Sequence, residues 1–192
     1  MEKVHNIGIF CGASPNIPQN FLDEAYNLGK LLAQNKRTVV YGGSKYGAMG
    51  AIADGALSAS GEVIGVFPQS ITIAGTREIM HTHLTKLITV PDMHSRKMSI
   101  FNLSDAFITF PGGFGTMDET FEIITWKYLK MHKKPIIIYN YQNYYNGLIQ
   151  LIDHFIDLGF ANSSIKSLYH IVEDIDQLLN IFNINQISTI MA

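Results

Sequence analysis

Charge is scarce in this sequence, and basic charge is in no excess. Only 16% of its 192 residues are charged, and 14 basic against 16 acidic side chains leave a formal charge of −2. Such a chain has no long-range field for nucleic acid or an anionic membrane, so any anion it binds must be held by local geometry. Neither kind of partner is expected. The single cysteine, Cys11, excludes an intrachain disulfide and fits a reducing compartment. No apolar run approaches the roughly 18 residues of a membrane span. The opening MEKVHNIGIFCGASP holds too short an apolar core for a secretory signal. The expected location is the cytoplasm. Repeats and low-complexity segments are also missing, so one domain over 1–192 is expected.

Several catalytic signatures are absent too. Ser14 and the other serines lie outside any G-x-S-x-G, which excludes the α/β-hydrolase elbow. Neither the G-x-G-x-x-G dinucleotide fingerprint nor a Walker A loop occurs. The histidines of HTH (81–83) have no third ligand at useful spacing, so no metal is expected.

What is present is a 47% hydrophobic chain in which strand-like and helix-like stretches alternate. Strands are predicted at 4–12, 37–43, 62–68, 86–91, 106–113, 134–140 and 167–173. Helices are predicted at 20–35, 47–60, 95–104, about 116–131, 144–159 and 174–182, with 69–84 irregular and polar. The strand KPIIIYN is almost wholly apolar, as a parallel strand covered on both faces must be. The expected class is α/β, a Rossmann-like three-layer fold with a central parallel sheet flanked by helices. Gly12, Gly42, Gly43, Gly112 and Gly113 fall where strands end, and in such sheets the ligand crevice lies beyond those ends.

Two turns stand out. In YGGSKYGAMG (41–50), Gly43 and its neighbours permit either close approach to a ligand or a tight turn and nothing more. In PGGFGTMDE (111–119), Gly113, Phe114, Gly115, Thr116 and Met117 would open a helix whose free amides face an anion. Asp118, Glu119 and Glu122 follow at once. T-M-D-E reads as a capping box from Thr116 to Glu119, and acids near a helix start complement its dipole. Three carboxylates exceed that need, and Asp118 and Glu122, four apart, repel each other. A Glu119 folded back as a cap would leave Asp118 or Glu122 as the reacting acid. Arg96 and Lys97, in DMHSRKMS (92–99), supply cations at the same sheet edge.

With these residues laid out, PGGFGTMDE resembles the PGGxGTxxE motif of the LONELY GUY family, the cytokinin-activating phosphoribohydrolases. MHSRK resembles the family's M-x-x-R-K segment. GGSKYGAMG is similar to its GGG-x-x-G-x-M-G turn, with Ser44 at the third glycine, and the likeness runs from about 5 to 160. The resemblance implies a homodimer with its active site near the subunit boundary, and no cofactor. The implied reaction is hydrolysis of the N-glycosidic bond of AMP or an N6-prenylated AMP, releasing base and ribose 5-phosphate. Carried over by motif, Arg96 and Glu119 are catalytic. Glu78, Arg96, Lys97, the run Gly113 to Glu119 and Thr125 bind substrate, with Gly43, Ser14 and Glu122 as further candidates. A carrier or sensor of the same fold, binding a nucleotide without hydrolysis, is the alternative.

Overall fold

The structure, a computed structural model, describes residues 4–70 and 79–190, with side chains described to Phe182. Seven strands form one sheet: β1 (Asn6–Phe10), β2 (Thr38–Tyr41), β3 (Val63–Pro68), β4 (Lys86–Val90), β5 (Ala106–Thr109), β6 (Ile136–Tyr139) and β7 (His170–Val172). The helices are α1 (Gln19–Gln34), α2 (Gly47–Ser58), α3 (Met93–Leu103), α4 (Phe114–Tyr128), α5 (Asn146–Asp157) and α6 (Ile175–Ile190). Every strand pairing is parallel, in the order β4-β3-β2-β1-β5-β6-β7. From β1 the chain winds outward to β4, returns to place β5 on the other side of β1, and winds outward again. The β1–β5 boundary is therefore the topological switch point, where a crevice opens beyond the strand ends.

Alternation along the strands sorts the core into two faces. Ile7, Ile9, Val39, Tyr41, Ile108 and Ile137 pack with Leu28 and Leu32 of α1, Ile52 of α2, and Leu178 and Phe182 of α6. Phe10, Val40, Phe107 and Ile138 pack with Ile100 of α3, Ile123 of α4 and Ile152 of α5 on the opposite face. This is the expected three-layer α/β architecture. The small residues of α1 and α2 bring their backbones together: a Cβ on Gly29 would lie 2.0 Å from the Ile52 carbonyl oxygen, and one on Gly55 2.0 Å from that of Tyr26. Among the described residues, no helix is long and apolar enough to cross a membrane.

The element boundaries differ from the sequence reading in four informative places. β5 ends at Thr109, because Pro111 has no N–H to continue a ladder. α3 begins two residues early, at Met93, where Asp92 acts as N-cap and accepts from the Ser95 N–H at 2.8 Å. The start of the strand expected at 167–173 belongs to a 3₁₀ turn, Ser163–Leu168, and the strand itself shrinks to the short β7. α6 runs on past 182 to Ile190, since no glycine or proline follows Ile175 to stop it.

Candidate active site

The β1–β5 register carries past the strands themselves. Phe110 donates its N–H to the Phe10 carbonyl at 2.9 Å, and Gly12 donates to the Pro111 carbonyl at 3.1 Å. The 11–14 and 111–113 segments are thereby laid side by side. Tyr145 and Tyr144 donate their hydroxyls to the carbonyls of Phe110 (2.8 Å) and Gly112 (3.0 Å), fixing the second segment from outside. Between the two segments and α3 opens a cleft of about 450 Å³, within the range of small-molecule sites. Its walls are Cys11, Gly12, Ala13, Ser14, Met49 and Met93, with Arg96, Gly113, Gly115, Thr116, Asp118 and Glu119.

One wall is the start of α4. Gly113 is the N-cap, no side chain caps the helix, and its first turn carries no acid. The capping-box reading is thus corrected. Thr116 is the third helical residue, not the cap, and Glu119 lies well inside the helix, where its side chain has no cap to serve. The amides of the opening turn have no intrahelical acceptor. Gly113 and Gly115 have nothing within 4 Å of where a Cβ would sit, and neither has a positive φ. The chain's own conformation does not require glycine at these two positions. The open space above both amides leaves a ligand free to approach the backbone. Behind this turn, Thr109 donates to the Thr120 hydroxyl (2.9 Å), which donates to the Thr116 carbonyl (2.6 Å), locking α4 onto β5.

The three acids divide by helical direction. Asp118 and Glu122, one turn apart, both accept from Lys97 Nζ at 3.1 Å. Their repulsion is relieved by that shared cation, whose side chain is only 12% exposed. Burial works against the Lys97 ammonium, but hydrogen bonds to Asp118 and Glu122 outweigh it and hold its pKa above the ordinary value. Glu119, turned by about 100° from Asp118, faces the cleft and does not reach Lys97. It is 5% exposed and has no hydrogen bond among the described residues. Burial pushes its carboxyl up to about 7; the Arg96 guanidinium pulls the other way, while Asp118 and Glu122 add to the rise.

Arg96 and Lys97 likewise point apart, being consecutive on one helix. Arg96 is 4% exposed and turned into the cleft. Its Nη1 donates to Met93 Sδ at 3.6 Å, its Nη2 to Met49 Sδ at 3.9 Å, and its Nε is buried without a partner among the described residues. Among the described residues it forms no ion pair. The cleft thus holds a buried cation and a buried acid, neither neutralised by the other. Cys11 lies on the floor, where burial and nearby Glu119 raise its thiol pKa and keep it protonated. A buried, protonated thiol is a poor nucleophile.

Of the sequence-selected residues, the cleft gathers Ser14, Arg96, Gly113, Gly115, Thr116, Asp118 and Glu119. Lys97 and Glu122 stand just behind it as an ion pair. Phe114 is 98% exposed and points away, Met117 packs on the second core, and Thr125 is exposed further along α4. Gly43 (φ 78°) is a buried turn residue whose carbonyl accepts from His81. Glu78 lies outside the described residues. In HTH, His81 Nδ1 accepts from the His83 N–H at 3.2 Å, so Nε2 carries the proton that it donates to Asp54 at 3.1 Å. Sequence reasoning placed Gly12 at the crevice edge without selecting it for the site, and did not select Ala13, Met49 or Met93. The strand-end CGAS was the available signal for the first two, and the M-x-x-R-K and G-x-M-G motifs held Met93 and Met49 without saying what they touch. A cavity of about 550 Å³ at the β7 edge, lined by Ile149, Asp153, Lys166 and Tyr169, has its charges paired with each other and offers no comparable chemistry.

Residues 49–182 match a family described as possible lysine decarboxylase. The chain is 39% identical over 171 residues (89% of it, 85% of the relative) to a cytokinin riboside 5′-monophosphate phosphoribohydrolase of Rhodococcoides fascians. It is 37% identical over 167 residues (87% and 77%) to the Arabidopsis thaliana phosphoribohydrolase LOG1. Its fold is similar to a molybdenum cofactor binding protein of Rippkaea orientalis, with TM-score 0.68 and 21% identity over the whole of both chains. It is also similar to the molybdenum cofactor carrier protein of Chlamydomonas reinhardtii, with TM-score 0.67 and 20% identity over 94% and 96%.

Proposed function

This chain belongs to the LONELY GUY family of cytokinin riboside 5′-monophosphate phosphoribohydrolases, and from that premise we propose how its cleft works. The reaction is hydrolysis of the N-glycosidic bond of an adenosine 5′-monophosphate, plain or N6-prenylated, to free base and ribose 5-phosphate. The observation that carries the assignment of roles is Glu119: buried, without a partner among the described residues, and in the same cleft as the α4 amides and Arg96.

The 5′-phosphate docks on the amides between Gly113 and Thr116, where helix geometry and two open glycines favour an anion. That contact sets the ribose over α4. Cleavage of the C1′–N bond builds positive charge at C1′. Glu119, as carboxylate, stabilises that charge and accepts a proton from the attacking water, whose oxygen bonds C1′. The departing base keeps the bond's electron pair and takes up a proton. Arg96 spends its free donors on the ribose or phosphate, or on the departing base. Lys97 acts at one remove, through its grip on Asp118 and Glu122.

A decarboxylase reading fits these residues poorly. A lysine that condenses with an aldehyde cofactor needs a lowered pKa, and Lys97 is held the other way.

The site is completed in a homodimer. The outer surface of the α3–α4–α5 layer exposes Met98, Tyr128, Leu129, Met131, Leu151 and Phe155, while α1 and α2 expose only Tyr26 among large apolar residues. Exposed apolar surface on one layer suits a second copy, and it would bring Thr125 of one chain toward the neighbouring cleft. The protein acts in the cytoplasm.

Incubation with AMP and with an N6-prenylated AMP, followed by chromatography, tests the reading. Free base and ribose 5-phosphate are expected; binding without base release would make the protein a carrier. Glu119→Gln is expected to lower kcat by about 10²–10⁴-fold while leaving ribose 5-phosphate affinity within a few-fold. Turnover near the wild-type level in that variant removes Glu119 from the chemistry.

A further inference from the structure

The Arg96 guanidinium sits in a notch made by three residues without chemistry of their own. We propose that Gly42, Met49 and Met93 are positioning residues that orient this guanidinium while leaving its strong donor capacity unspent for substrate. The inference rests on the reading of the cleft as a phosphoribohydrolase site.

An arginine offers five N–H donors, and a buried one normally meets carboxylates or carbonyls. Among the described residues the acceptors here are two thioether sulfurs, at 3.6 and 3.9 Å, and Nε has none. Thioethers are weak acceptors with polarisable surfaces. They give the planar group a direction without neutralising it. The third side of the notch is Gly42, just beyond β2. A Cβ there would lie 1.6 Å from Nη2 and 2.7 Å from Cζ. Gly42 has no positive φ, unlike Gly43 at 78°, so its backbone does not demand glycine. The guanidinium does. The first glycine of YGGS therefore serves Arg96 and not the ligand, and Met93 reaches Arg96 because Asp92 starts α3 early enough to put the two one turn apart.

A double-mutant cycle between Gly42→Ala and Arg96→Lys tests this. It is read in kcat and KM with AMP, in calorimetric affinity for ribose 5-phosphate, and in thermal unfolding. Alanine at 42 must displace the guanidinium by an ångström or more. A fall of roughly 10²-fold in kcat/KM is expected in the wild-type background, from mispositioning alone. In the Arg96→Lys background, where Nη2 is gone, the same change is expected to cost less than about threefold, since coupling should vanish with the partner. Equal costs in both backgrounds would overturn the notch and leave the phosphoribohydrolase reading standing. Absence of base release from the wild type would overturn that reading, and the affinity cycle would still report on the notch. Should Gly42→Ala not fold, Met93→Leu carries the test. A drop of about three- to tenfold in kcat at unchanged melting temperature supports a positioning role, and wild-type kinetics in both Met93→Leu and Met49→Leu refute it.

Discussion

Glu119 and Asp118 are adjacent in sequence and opposite in circumstance. Asp118 is 60% exposed at its side chain and shares Lys97, whereas Glu119 is buried opposite a guanidinium that does not quite compensate it. A rise from the ordinary 4.5 to about 7 disfavours the ionised carboxyl by about 3 kcal/mol. Two outcomes are expected. If Glu119 works as a carboxylate, kcat/KM should climb with pH through an inflection near 7 and level off above it; a flat profile from pH 6 to 8 would assign the work elsewhere. Stability should move the opposite way. Between 4.5 and about 7 the folded chain holds a proton that the unfolded chain has lost, so stability falls as pH rises and the whole cost is present above 7. Glu119→Gln should accordingly raise the melting temperature at pH 8 and leave it nearly unchanged at pH 4. The motif in the sequence pointed to Glu119, but its rivalry with Asp118 and Glu122 could not be resolved there. The helix start, misplaced by two residues, made a capping box look available.

At the scale of the element, the opening of α4 is where ligand binding and helix stability pull apart. Gly115 is the second residue of the helix, with empty space where a Cβ would go. Gly115→Ala should stabilise the fold by about 0.5–1 kcal/mol, as expected for glycine in a helix, while weakening ribose 5-phosphate binding at least tenfold, because the methyl occupies the anion's approach. Calorimetry and thermal melts on the same sample check both signs; unchanged affinity would place the phosphate elsewhere. The Gly-rich turn and its following helix were legible in PGGFGTMDE, since punctuation by glycine and proline is a local property. The start of α3 was within reach too, from the Asp92 cap after Pro91, and recognising it would have placed Met93 beside Arg96.

For the whole molecule, the 4-3-2-1-5-6-7 strand order does the decisive work, since it makes β1 and β5 neighbours although 95 residues separate the end of one from the start of the other. Sedimentation velocity at micromolar concentration should give twice the chain mass. Leu129→Glu with Met131→Glu, at positions 60% and 65% exposed, should return a folded monomer with impaired turnover; a monomeric wild type with full activity would sink the proposed dimer. The sequence by itself determined the alternation of strands and helices, the parallel sheet, and the glycine turns at its carboxyl edge, because periodicity and backbone permissiveness are written within a few residues. It also named most of the cleft. Tertiary structure alone set which acid and which cation lack a partner among the described residues, and how close Gly42 lies to the Arg96 guanidinium. Those properties belong to pairs such as Lys97 with Asp118 or Arg96 with Gly42, brought together by the winding of the sheet and the 100° step of a helix, and no stretch of chain carries both partners' surroundings.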